Sequence, residues 1–404
     1  MTKATPLEGF RILDFCWIGA GALVTKALAE LGADVIRIES RSHPDNLRLS
    51  PPFRPGTEGL EASGYFASRN PDKRSFALNM TVPEGREIAR ELIAKVDAVT
   101  SNFRPGVMEK WGLSYEEAKM INPDIIYLVM PMQGSDGPHR SFIGFGSTIA
   151  ALGGLVALTG ARGRVPVGTG THYPDHVPNP GHSLVGFLSA VYERIQRGDG
   201  QRVELSQLES TVNIIGPAFL SAAAGDTPEP VGNRIPGVIP RGVYRTADGR
   251  WVVIACARDD QWKALVTEAA EHKGLAEMAA FDTSERAAAV GEIDDVLADW
   301  VAGYDREEIL RRLEGAGVPH GPVSTSADVL DDERLAGRKF WHTVQHPVIG
   351  EMPMFRLPFI RGPNSRGPMR RPPLLGEHTW EVASELLGMD EQRFEELTAA
   401  KVLY

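Results

Sequence analysis

The chain has 404 residues with 53 acidic and 43 basic side chains, and its net charge of −10 excludes the broad basic face that nucleic acid binding needs. Its composition is that of a globular protein, and its length is that of two or three domains rather than one core. Cys16 and Cys256 have no metal-ligand or redox spacing, the N-terminus carries no apolar signal core, and no segment approaches a membrane span, so a cytoplasmic location without membrane contact is expected.

Taken in order, the first third alternates strand and helix patterns. Residues 10–15 read as a buried strand, Gly19-Ala20-Gly21 as a turn, 22–31 as a helix closed by Gly32, and 34–39 as a second strand. A helix opened by Pro83 spans 83–95, strands follow at 98–101 and 125–130, and a helix at 115–120 lies between them. This alternation implies an α/β fold with a largely parallel, doubly wound sheet. Next comes a proline-rich stretch, Tyr173-Pro174-Asp175-His176-Val177-Pro178, then an apolar helix (184–197), a Gly198-Asp199-Gly200-Gln201 turn and a strand at 202–205. Beyond a loop at 225–232, Ala247-Asp248-Gly249 joins two strands as a hairpin, and helices over 261–271, 292–301 and 307–314 complete a smaller α+β unit. A Pro- and Arg-rich arm (361–373) leads to a last helix at 377–387. The domains expected are 1–220, 221–325 and an arm, 326–404, that returns to the first.

Several residue groups invite chemistry. Proline and glycine flank Asp175, which predicts a carboxylate held out of helix and ladder at the mouth of a cleft. From these residues alone it is either a nucleophile or a turn cap. Gly19-x-Gly21 after a strand, with Glu39 ending the next, partly matches a dinucleotide fingerprint, but Val24 stands where the third glycine belongs. Basic residues gather at the expected strand ends: Arg37, Arg41, Arg69, Lys73, Arg74, Arg104 and Lys110. His172, His176 and His182 surround Asp175, but prolines interrupt any face that would align them and no Cys or Glu completes a ligand set, so no metal is expected.

Seven segments then stand in one order along the whole chain: residues 7–15, 31–39, 102–106 with 111–113, 122–127, 198–204, 316–323 and 373–379. In them the chain resembles the class III CoA-transferases, the formyl-CoA and carnitine CoA-transferase group. The resemblance implies an enzyme that moves CoA from an acyl-CoA donor to a carboxylate acceptor, with Asp175 as nucleophile and an aspartyl-CoA thioester as intermediate. CoA is then a substrate, and no tightly bound cofactor is implied. The implied fold is a Rossmann-like large domain with a smaller α+β domain in an interlocked dimer, either a homodimer or a hetero-oligomer with a related subunit. By position, Lys73, Arg74, Arg104 and Lys110 would meet the CoA phosphates.

The departures point to a different acceptor. Gly19 stands where several members carry Gln, Met130-Pro131-Met132 replaces a lysine-bearing turn, and residues 233–242 lack the glycine-rich gating loop of formyl-CoA transferase. The spacing from Asp175 to the next helix is one residue longer than in formyl-CoA transferases. Residues 232–234, 241–244 and 248–251 are similar to the succinyl-CoA-dependent transferases for benzylsuccinate and related dicarboxylates, which would give Arg234 or Arg241 a distal carboxylate to hold. Within the same fold, α-methylacyl-CoA racemases pair the aspartate with a histidine where this chain has Phe145, which carries no proton. A third alternative is a weakly active, CoA-binding subunit of a two-gene transferase.

Overall fold

A computed structural model describes residues 5–235, 237–361 and 369–404. The chain divides into two units. The larger takes the residues up to Ala157, Val167–Pro228 and Ala336–Tyr404, and the smaller takes Leu158–Pro166 and Glu229–Leu335. The cuts thus fall at Pro228 and Leu335, where composition put them at 220 and 325.

The larger unit is built on a six-stranded parallel sheet: β1 (Arg11–Asp14), β2 (Asp34–Glu39), β3 (Arg74–Ala77), β4 (Ala98–Ser101), β5 (Ile126–Val129) and β6 (Arg202–Glu204), in the order β3-β2-β1-β4-β5-β6. Its direction of winding reverses between β1 and β4, and in sheets of this order ligands bind beyond the strand ends at that point. The strands are apolar on both sides because both faces are covered. Leu13, Ile36, Val99 and Tyr127 face one layer, which holds Ile88, Leu92, Val382 and Leu397. Their neighbours Ile12, Val35, Ala98 and Ile126 face the other, with Val24, Leu28 and Phe187. The helices Gly19–Glu30 and Pro178–Arg197 cover that second face.

Several elements escaped the sequence patterns. β3 reads Arg-Ser-Phe-Ala, and its leading arginine is matched only by distant acids: Arg74 donates to Asp34 and, at 2.7 Å, to Glu385. The short helix Gly64–Arg69 begins on glycine, an antiparallel hairpin, β10 (Trp341–His346) with β11 (Gly350–Phe355), contains Pro353, and a further helix, Glu391–Ala399, follows Thr379–Leu387. The terminal helices join the β1–β3 layer, and the His378 N–H donates to the Ser75 carbonyl at 3.0 Å.

The smaller unit is a three-stranded antiparallel sheet, β7 (Arg241–Arg245), β8 (Trp251–Ala255) and β9 (His320–Pro322). The helices Asp259–Glu268, Val290–Ala302 and Arg306–Gly315 close its core around Trp262, Leu297 and Leu313. Among the described residues no helix is long and apolar enough to cross a membrane.

Candidate active site

The loops that leave β1 and β4 are tied to each other. Asn102 Oδ1 accepts from the Trp17 N–H at 2.8 Å, and its Nδ2 donates to the Trp17 carbonyl at 2.6 Å. Ile18 follows with φ 57°, a costly conformation for a β-branched residue. Its N–H donates to the Asp45 carboxylate at 3.2 Å. Asp45 is itself held by Arg37, and both side chains are fully buried. This anchor fixes the entry to the Gly19–Glu30 helix, which has no side-chain cap of its own.

Asp175 is seated against that helix end. The structure corrects the expectation that Asp175 is kept out of any helix: Tyr173–His176 is one short helical turn, and Pro174 is tolerated there because first-turn N–H groups have no helical partner. The Asp175 side chain lies between two glycines. A β-carbon on Gly19 would stand 2.9 Å from Oδ2, and one on Gly146 would stand 2.5 Å from it. The Gly146 N–H donates to the carboxylate. Burial pushes the Asp175 carboxyl up to about 6, against the pull of His172, the Gly146 N–H and Arg69.

Two cavities meet at Asp175. One, of about 380 Å³, is lined by Trp17, Asn102, Phe103, Arg104 and Arg140 among others. The second, of about 400 Å³, is lined by Asn46, Leu49, Ser50, Tyr65 and His172 among others. Ile18, Phe145 and Asp175 line both. A carboxylate at such a junction can reach ligands from two sides.

The expected cations are sorted by this geometry. Arg104 is exposed and lines the first cavity, and Lys110 is exposed at the end of the helical turn Val107–Lys110 but does not line it. Lys73 and Arg74 are corrected as phosphate ligands. The Lys73 side chain is fully buried and donates to Thr25 Oγ1 (2.7 Å), Asn70 Oδ1 (2.9 Å) and the Ala22 carbonyl (3.0 Å), with Asp14 at 3.5 Å. Burial pulls its ammonium down to about 8 against the attraction of Asp14. Arg74 is committed to Asp34 and Glu385. Glu39, the ribose candidate, is likewise buried and paired with Arg48 at 2.8 Å. Arg234 and Arg241 belong to the smaller unit, where Arg234 pairs with Asp294 at 2.8 Å and Arg241 donates to the Asn233 carbonyl.

The histidines diverge: His172 is exposed, His176 bonds to Arg69 and His182 to Ser210. Among the described residues no group of three His, Cys, Asp or Glu is placed to hold a metal. Sequence reasoning missed Arg140, which sits in an irregular loop without periodic signal. It also missed Gln207, whose Nε2 donates to the Met130 carbonyl at 2.7 Å as it lines the first cavity.

Residues 7–379 of this chain match the model of CoA-transferase family III. The chain belongs to that family. It is therefore an enzyme of the CoA-transferase class. It is 31% identical over 403 residues to succinyl-CoA–D-citramalate CoA-transferase of Chloroflexus aurantiacus, covering 98% of each chain. It is also 31% identical over 408 residues to the beta subunit of succinyl-CoA–L-malate CoA-transferase of the same organism, covering 100% of this chain and 99% of the relative. A solved CAIB/BAIF family protein from Brucella suis superposes with a TM-score of 0.84 at 31% identity, over 95% of this chain and 100% of that one.

Proposed function

We propose that this transferase moves CoA from succinyl-CoA to a small dicarboxylic acid, benzylsuccinate or a related dicarboxylate, through covalent intermediates on Asp175. The observation that carries the reading is the seat of Asp175: buried, bonded by the Gly146 N–H, and open to two cavities at once. The names of the relatives supply the donor and the acceptor class.

The Asp175 carboxylate attacks the thioester carbonyl, the C–S bond breaks, and CoA leaves as thiolate with a mixed anhydride on the enzyme. The thiolate then attacks the Asp175 acyl carbon, expelling succinate and leaving an aspartyl-CoA thioester. The acceptor carboxylate attacks that thioester, forming a second anhydride and freeing the thiolate again. Attack of the thiolate on the acceptor's acyl carbon releases the new acyl-CoA and restores the carboxylate. Each step exchanges one acyl bond for another and carries one negative charge, so no ATP is consumed. The Gly146 N–H acts on the Asp175 carboxyl, whose oxygen takes up charge whenever the Asp175 acyl carbon is attacked. Arg104 and Arg140 suit the CoA phosphates, and exposed Lys110 ends the helical turn that follows Arg104.

Mass spectrometry tests this directly. Mixing with succinyl-CoA and trapping with hydroxylamine should convert an activated Asp175 to a hydroxamate in the wild type and not in Asp175→Ala. No mass change in either, across several acyl-CoA donors, would reduce the chain to a CoA-binding scaffold.

We place the enzyme in the cytoplasm as an interlocked dimer. Val185, Leu188, Tyr192 and Ile195 form an exposed apolar row on the Pro178–Arg197 helix, which suits cover by a second subunit. A related chain as that partner is the second reading, favoured by the relative that is itself a beta subunit.

A further inference from the structure

Resting on that reading of Asp175, we infer that Arg69 is a positioning residue: a built-in counter-ion that compensates the single negative charge the site carries at every step, while its guanidinium holds the end of the nucleophile's turn through His176. Arg69 is only 8% exposed, yet among the described residues no carboxylate lies within ion-pairing distance of it. A buried guanidinium without an acid is far costlier than a paired one, so such a residue is a strong functional candidate. Its other contacts fix it in place. It lies 4.7 Å from the centre of the Tyr65 ring, and Tyr65 lines the second cavity. One terminal nitrogen donates to Ser68 Oγ at 3.1 Å, and the other lies 2.8 Å from His176 Nε2.

The last contact settles a tautomer. A guanidinium only donates, so His176 Nε2 accepts, and the imidazole proton is on Nδ1, facing Thr171 Oγ1 at 3.1 Å. His176 is thereby held neutral: burial and then Arg69 pull it down to about 4. The titratable side chains that act on Asp175 are His172, just before its helical turn, and Arg69, from the Gly64–Arg69 helix. The helices beginning at Gly19 and Gly146 press backbone against it, not charge. The negative charge passes from Asp175 to thiolate to released carboxylate, and a fixed cation bonded to His176, the residue next to Asp175, needs no rearrangement between steps.

Two variants separate charge from shape. Arg69→Gln keeps a donor for His176 and loses the charge, and Arg69→Lys keeps the charge. With succinyl-CoA, Arg69→Gln should lower kcat/KM about a hundredfold and move the acid limb of its pH profile up by roughly one unit. Arg69→Lys should hold the limb near its wild-type position. A limb unmoved in Arg69→Gln, or moved equally in both, overturns the inference. Should Arg69→Gln not fold, Arg69→Met takes its place. A ¹³C NMR titration of the Asp175 carboxyl reads the same midpoint without turnover. Inactive wild type with an Arg69-dependent midpoint would therefore count against CoA transfer and not against the counter-ion role of Arg69.

Discussion

Gly146 lies so close to Asp175 that a β-carbon there would stand 2.5 Å from the aspartate's Oδ2, well inside contact distance. A β-carbon on Gly19 would stand 2.9 Å from the same oxygen. The carboxylate is gripped by the bare backbone of two helix starts, so even a methyl group must displace it. We expect Gly146→Ala to lower kcat about a hundredfold, since displacements near 1 Å cost on that order. Gly19→Ala should cost somewhat less. Both should remain folded, losing about 1–3 kcal/mol to overpacking. Turnover and urea denaturation of the two variants provide the check, and full activity in Gly146→Ala would deny the tight seat.

The raised Asp175 carboxyl has a consequence for stability with a definite sign. Its folded value is about 6 against an ordinary 3.8, so the folded state holds its proton where the unfolded chain has lost it. Stability contributed by this group is fully present below about pH 4, falls as pH rises through the window to about 6, and stays low above it. Asp175→Asn should therefore be inactive yet more stable than wild type at pH 7, by about 2–3 kcal/mol at most, and show no such gain at pH 3.5. Chemical denaturation at the two pH values measures the difference. The acid limb of wild-type activity should fall near pH 6 for the same reason.

Lys73 and Arg104 should fail in opposite ways. Lys73→Met leaves Asp14 buried without its ammonium and should cost about 3–5 kcal/mol of stability. The KM for succinyl-CoA in whatever folds should barely change. Arg104→Ala should raise that KM roughly tenfold, the loss of one charge-assisted phosphate contact, with stability within about 0.5 kcal/mol of wild type. Thermal melts beside Michaelis curves separate the two roles.

The exposed row on the Pro178–Arg197 helix makes a prediction about assembly. Replacing Tyr192 and Ile195 together by Glu should shift sedimentation towards a single chain if a second subunit covers that face. An unchanged sedimentation coefficient would leave the row without a partner.

The strands β1, β2, β4 and β5 were legible as short apolar runs bounded by turns, and the helix opened by Pro83 by the spacing of its apolar residues. β3 was not, since its leading Arg74 finds Asp34 and Glu385 only after the chain has folded. The same blindness made Lys73 and Arg74 look like loop cations free for phosphate. A loop position and a positive charge are visible in sequence, whereas a buried acid waiting nearby is not. Asp175 could be singled out from its proline-rich setting and the family resemblance. Its seat could not, because Gly19 and Gly146 come from two segments distant in the chain. Arg69 showed only as one basic residue among several. What distinguishes it, burial without an acid, exists only in three dimensions.

Val402 and Leu403, at the extreme end of the chain, are buried in the same core as Leu13 and Phe15 near its beginning. That layer cannot be completed until residue 403 has been synthesised. At ordinary translation speeds of about 5–20 residues per second, the apolar face of the first strands waits roughly 20–80 s for its cover. During that interval Phe15, Ile36 and Phe76 are exposed to any other nascent chain, whereas the smaller unit, whose main segment is continuous from Glu229 to Leu335, has most of its core available much earlier. Replacing Val402 and Leu403 by polar residues should therefore act first on yield of soluble protein, before any effect on the chemistry at Asp175 is seen.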